Sequence, residues 1–323
     1  MKPSSDEAQS RALSTDRLLP GDRVRVLSCR EILATLDEDA SLDGLPFMPE
    51  MSELCGRILR IARIANKNCV RTSDGTFVGS MADGYVLQTG KRCDGSYHGG
   101  CQLACNFIWK RRWLSRVEDC ELKDCGFNDQ EFAATACDSN GLQLLTTGAS
   151  GAESRFRCQA TELVQISSRL SPLHIGQYFE DYRSGIGPLP IAKGLFRSVG
   201  RRLSGKKAGL IGPCDRTPVD NLSLKVGEAV RVKSLEEIRR TLDKAGCNRG
   251  LWFDPEEMEQ YCGKRLVVSR VIHRLIDETT GELRQLKVPC VVLAETECSG
   301  IFRRFCSRGM LNFWREVWLT RCK

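Results

Sequence analysis

The stretch from Arg92 to Leu114, "RCDGSYHGGCQLACNFIWKRRWL", places Cys93, Cys101 and Cys105 within thirteen residues. Thiols at that density can gather a metal ion, carry redox chemistry or fill a core. Cys105 stands four residues after Cys101, which puts both sulfurs on one face if a helix has begun there. Gly95, Gly99 and Gly100 let the loop fold back so that Cys93 joins them, and Cys69, just before a hairpin turn, is the fourth candidate. Four thiolates suit tetrahedral zinc and an iron–sulfur cluster equally well. Further along, Cys290, Cys298 and Cys306 run as C-x7-C-x7-C, with Cys262 as the fourth member of a second set. The x7 spacing is not the compact C-x2-C of common zinc sites. The alternative, that these thiols are small hydrophobes packed in cysteine-rich domains, therefore stays open.

The elements that must position these residues come twice. "GDRVRVLSCREILATLD" from Gly21 aligns with "GEAVRVKSLEEIRRTLD" from Gly227, with ten of 17 positions identical at an offset of 206. The match continues through Gly44/Gly250, Phe47/Phe253, Pro49/Pro255 and Cys55/Cys262, and closes on Cys93/Cys298, Cys101/Cys306, Trp109/Trp314 and Trp113/Trp318. A repeat of this length marks a duplicated structural unit. Cys29 faces Leu235 in the second copy, as a packing cysteine would, whereas positions 55, 93 and 101 hold thiols in both copies.

Each copy reads as mainly β with short helices. "DRVRVL" alternates charged and apolar residues, "REILATLD" suggests a short helix, and the turns "SDGT" and "ETTGE" suggest hairpins. The tryptophans of the closing segment serve as core anchors, with Lys110–Arg112 as a solvated run between them. Five short strands of this kind fit a small SH3-like barrel. "GDRVRV" and "CGRILRI" are similar to the SH3-like domain of nitrile hydratase β subunits. The C-S-C metal claw of the partner α subunit is absent, so the resemblance implies the barrel and not the nitrile-hydrating activity. The two-copy, cysteine-rich arrangement as a whole resembles a family of uncharacterised bacterial proteins. "CDGSYH" resembles the Cys-Asp-Gly-Ser-His ligand run of a family of [2Fe–2S] proteins. Here Tyr97 intervenes before His98, and the second copy reads "CSGIFR" with no histidine.

The expected organisation is a disordered lead-in (1–19), a first barrel with its cysteine cluster (20–117), a cysteine-containing, partly helical middle region (118–189), a flexible basic linker (190–225) and a second barrel (226–323). From Pro190 to Gly209 there are six basic residues and no acidic ones, which reads as a linker able to touch an anionic ligand. His174 and His273 have no acid or nucleophile at motif spacing, and no P-loop, nucleophile elbow, H-E-x-x-H or dinucleotide fingerprint occurs.

Composition narrows the class. Apolar residues at 41% and charged residues at 28% are those of an ordinary globular protein, and no run is long enough to span a membrane. The start of the chain lacks an apolar core of signal-peptide length, so a cytoplasmic location is expected, where 17 cysteines stay reduced rather than forming a disulfide framework. A net charge of +7 permits an anionic partner without demanding one. The expected function is a zinc or iron–sulfur accessory or binding protein with a protein partner and no membrane association. The alternatives are a metal- or cluster-dependent enzyme of a bacterial biosynthetic pathway and a nucleic-acid-binding protein.

Overall fold

The structure is a computed structural model that describes residues 17–117, 137, 139–149, 155–204 and 209–322. The expected lead-in lies almost wholly outside the described residues.

Strands follow from the alternation in the sequence. In Arg23–Val26 the valines are 0% exposed while the arginines face outward, and Ala229–Val232 repeats the pattern. Around each such strand a five-stranded antiparallel sheet assembles. In the first half the order is Trp109–Lys110, Gly84–Leu87, Ile58–Ile64, Arg23–Val26, Leu114–Arg116; in the second it is Leu311–Trp314, Leu283–Glu297, Arg265–Ile276, Ala229–Val232, Leu319–Arg321. The register repeats as well. Ile61 pairs with Leu87 and Val268 with Leu293, and both ladders slip immediately afterwards, before Arg63 and Arg270. The edge strands of each sheet are not joined to one another, so the described residues contain no closed barrel where the sequence suggested one.

The halves also differ. Two long strands of the second half, Arg265–Ile276 and Leu283–Glu297, correspond to broken strands in the first. There, Lys67–Thr72 and Gly75–Ser80 form a separate hairpin sheet extended by Ser168–Arg169.

Tryptophan fills both cores. Trp109, Trp113, Trp314 and Trp318 are each 0% exposed. Phe47 meets Trp109 and Trp113 edge-on at 5.9 and 5.2 Å, and Phe253 meets Trp314 and Trp318 at 6.4 and 5.4 Å. The edge-to-face arrangement aligns ring quadrupoles favourably.

Two expectations are corrected between the halves. The first part of the segment read as a flexible linker (190–225) lies in a helix from Pro188 to Ser204. Proline at the first helical position sacrifices no hydrogen bond, and apolar residues recur with helical spacing, so the glycines within it are tolerated. The helix docks against the Ile301–Arg303 turn of the second half. Cys29 is not a free packing thiol: it is disulfide-bonded to Cys137, with Cα atoms 5.0 Å apart. The bond lies beside the contact between helices Cys29–Leu33 and Ser139–Ala149. Cys137 falls outside the repeat, which is why comparing the copies could not reveal its partner.

The halves are locked together reciprocally. The Cys101 sulfur accepts the Ile276 N–H at 3.3 Å, and the Cys306 sulfur accepts the Cys69 N–H at 3.0 Å. Gln102 N–H donates to Arg274 O at 3.2 Å, and Ser307 N–H to Lys67 O at 2.8 Å. Each pair maps onto the other under the repeat, as in a twofold interface where the same patch serves both partners.

Candidate metal centre

The loop beginning at Cys93 turns back through Gly95, whose φ of +76° suits glycine. His98 N–H and Gly100 N–H both close on Gly95 O, and Cys93 N–H donates to Cys105 O. This tight turn brings His98 over Cys93, with Nε2 3.3 Å from the Cys93 sulfur. The third member comes from another element. Pro49 opens the 3-10 helix Pro49–Leu54, which presents Glu50 inward. Glu50 Oε1 lies 3.9 Å from the Cys93 sulfur and 3.5 Å from His98 Nδ1.

Glu50 and His98 are each 1% exposed. Burial pushes the Glu50 carboxyl above its ordinary range, holds His98 below its own, and raises the Cys93 thiol, with Glu50 adding to the last effect. Glu50 Oε2 and His98 Nδ1 have no hydrogen-bond partner, an expensive condition for buried polar atoms. Among the described residues this trio is the group of thiol, imidazole and carboxylate close enough to hold a metal ion, with its ligand atoms all within 4.8 Å of one another. The donor set suits zinc, which takes sulfur, nitrogen and oxygen ligands.

The second half provides an internal control. Glu257, also 1% exposed, stands where Glu50 does, but it accepts hydrogen bonds from Ser299 N–H at 2.8 Å and Ser299 Oγ–H at 3.0 Å. The first half has Asp94 at the position of Ser299, and the Asp94 carboxylate has no hydroxyl to donate. Arg303 replaces His98; it pairs with Asp254 at 3.3 Å and lies over the Trp252 ring. The thiol beside Glu257, Cys298, is pushed up to about 12 by burial. The second site is closed by serine and arginine where the first leaves two atoms unsatisfied.

The cysteines expected to form tetrahedral sets are distributed differently. Cys93, Cys101 and Cys105 do line one cavity, of about 20 Å³, in company with His98 and Cys158. That is room for about one water-sized occupant. Burial raises Cys105 to about 12 and Cys158 to about 11. Cys69 is not their fourth member, because its strand faces the second half and contacts Cys306. In the second set, Cys290 is 4% exposed in a core cluster with Ile272 and Val292, apart from Cys298 and Cys306. Cys262 ends the Glu259–Tyr261 turn, half-buried. No group of three thiols among the described residues meets at metal-binding distance. Cys120 and Cys125 lie outside the described residues.

Sequence reasoning missed Glu50 and discounted His98. The signal for Glu50 was present: "PFMPEM" and "WFDPEEM" both carry an acid inside an apolar segment, and a buried carboxylate needs a partner. No family model matches this chain, and no curated protein is significantly similar to it.

Proposed function

We propose that this protein binds a single metal ion, zinc by donor type, through Glu50, Cys93 and His98, and serves as an accessory or binding component built from two SH3-like units. The observation that carries this reading is the buried convergence of three different donors with Glu50 Oε2 and His98 Nδ1 unsatisfied, set against a second half in which the corresponding glutamate is fully bonded. A cation at the site would give both orphaned atoms a favourable partner and displace the thiol proton. An iron–sulfur cluster fits less well, since it is held by sets of cysteine thiolates and one cysteine stands in the trio. The partner in this reading is another protein, and the basic composition of the Pro188–Ser204 helix permits an anionic ligand. Elemental analysis of protein purified without chelator tests it. About one zinc per chain in a colourless protein is expected; iron with visible absorption would favour a cluster-dependent enzyme; no metal would reject the reading.

One observation favours a second reading. His98 lies with Nε2 3.3 Å from the Cys93 sulfur and Nδ1 3.5 Å from Glu50, the order of nucleophile, base and orienting acid in cysteine hydrolases. Alkylation separates the two. A metal-held Cys93 becomes reactive toward iodoacetamide only after chelation, whereas a catalytic Cys93 reacts without chelator and loses that reactivity in His98→Ala.

A further inference from the structure

The reciprocal contacts between the halves are alike in backbone and unlike in sulfur. Where Cys101 accepts the Ile276 N–H, one thiol is present; where Cys306 accepts the Cys69 N–H, there are two. Under the repeat Cys69 corresponds to Ile276, so only one side of the pseudo-twofold interface carries a pair. The Cys306 sulfur sits 3.0 Å from the Cys69 backbone nitrogen, so the two thiols belong to residues in direct contact across the interface. The backbones run side by side, with Ser307 N–H on Lys67 O at 2.8 Å and Arg308 Nη1–H on Cys69 O at 2.9 Å. Cys69 and Cys306 are thus held side by side, and a disulfide between them needs their Cα atoms within about 7 Å.

We propose that Cys306 and Cys69 form a thiol–disulfide exchange site that takes low-molecular-weight disulfides. Cys306 is the attacking sulfur and Cys69 the resolving one, and their union ties the two halves covalently. The site is separate from Glu50, Cys93 and His98 and does not depend on metal there.

Access comes from a cleft of about 420 Å³ between the first half, the Gly176–Arg183 helix and the second half. Cys306 lines it together with Lys67, Asp181, Phe305 and Ser307. A volume in this range admits a small molecule.

The charges around Cys306 favour the thiolate. The Cys69 thiol, the Arg308 N–H and guanidinium and the Cys69 N–H all stabilise negative charge on it, lowering it to about 6. Arg303 acts in the same sense on the neighbouring Cys69 sulfur. Opposing them is burial, while Cys298 acts against charge on the Cys69 sulfur; the carboxylate of Glu278 is engaged bidentately by Arg308 at 2.8 Å. Lys67 faces the cleft but is paired with Asp181. Cys69 is pushed up by its hydrogen bond to Cys306 and by burial, and so holds the shared proton. The pair thus divides into nucleophile and proton-bearing partner, the division that exchange chemistry uses.

The step balances without a cofactor. Cys306 thiolate attacks one sulfur of a disulfide RSSR, the S–S bond breaks, and RS⁻ leaves and takes up a proton. Cys69 loses its proton and attacks the Cys306 sulfur of the mixed disulfide, forming Cys69–Cys306 and releasing the second RS⁻, which takes up that proton. Two protein thiols are oxidised by two electrons and RSSR is reduced to two RSH.

The test uses the full reduced protein and oxidised glutathione, with non-reducing digestion and mass spectrometry. A Cys69–Cys306 linked peptide is expected, with Cys101 remaining reduced; glutathione adducts scattered by exposure, with no linked peptide, would overturn the proposal. Iodoacetamide labelling gives a second readout. Between pH 8 and pH 6 the Cys306 rate should fall about twofold, against a nearly hundredfold fall for an unperturbed thiol. A hundredfold fall at Cys306 would show that it is no thiolate. In Cys69→Ser, glutathione should stay on Cys306 as the mixed disulfide. The wild-type measurements stand if that variant fails to fold.

Discussion

Glu50 and Glu257 occupy the same place in the two halves, and only their neighbours differ. Ser299 donates twice to Glu257, while Glu50 has the Cys93 thiol and His98. The contrast predicts the effect of single changes. Glu50→Gln and His98→Arg, the latter installing the residue of the second half, should each lower bound zinc at least tenfold by elemental analysis. Glu257→Gln should leave the metal content unchanged and cost about 1–3 kcal/mol of stability, because a buried hydrogen-bonded acceptor is altered. Equal metal loss in Glu50→Gln and Glu257→Gln would remove the distinction between the halves. At this scale the sequence disclosed part of the site. Cys93 and His98 are close in the chain, and a glycine turn makes their contact local. Glu50 arrives from 43 positions away on a different element, and nothing in the spacing of the loop points to it. The Cys69–Cys306 contact, 237 positions apart, was hidden for the same reason.

The short helices after the first strand of each half stand on identical caps. Ser28 accepts from the Glu31 N–H while the Glu31 carboxylate accepts from Ser28, and Ser234 and Glu237 repeat the arrangement. Ser28→Ala should therefore cost about 1 kcal/mol by urea denaturation. Hydrogen bonds from Ser28 hold the Glu31 carboxyl below its ordinary value of 4.5. Its folded form binds the proton more weakly than its unfolded form, so the contribution is complete above pH about 4.5 and disappears as pH falls through the lowered value. The gap between wild type and Ser28→Ala should narrow in acid and hold constant near neutrality; a gap that widens in acid would contradict the cap. The disulfide gives a further expectation at this scale. Cys29 and Cys137 close a loop of 108 positions, so Cys137→Ser should lower stability by about 2–4 kcal/mol, without changing bound zinc. Strands and caps were legible because alternation and capping boxes are local. The Pro188–Ser204 helix was not, since the basic, glycine-bearing run from Pro190 to Gly209 reads as a linker, while its docking against Ile301–Arg303 lies beyond any local window.

Each half has its own tryptophan-centred core, which would let the two unfold separately if only their surfaces touched. The contacts between them argue otherwise. Gln102 Oε1 accepts from the His273 and Arg274 N–H groups at 2.7 and 3.1 Å, and the Ser307 hydroxyl donates to Lys67 O at 2.8 Å. Arg92 pairs with Glu297 at 2.6 Å, and Asn106 donates to Arg308 O at 2.9 Å. Each half thus supplies partners for backbone groups of the other, and opening one half leaves polar groups of its neighbour without partners, at about 1 kcal/mol or more apiece where water is excluded. Coupling of that size makes partial unfolding rare. Calorimetry of the intact protein should therefore show a single transition with calorimetric and van't Hoff enthalpies about equal. The paired substitution Gln102→Ala with Ser307→Ala removes one donor–acceptor set on each side of the pseudo-twofold and leaves both tryptophan cores intact. It should separate the transition into two, or lower the van't Hoff enthalpy below the calorimetric one. Two resolved transitions in the unaltered protein would mean that the halves are independent domains and that the reciprocal contacts contribute little.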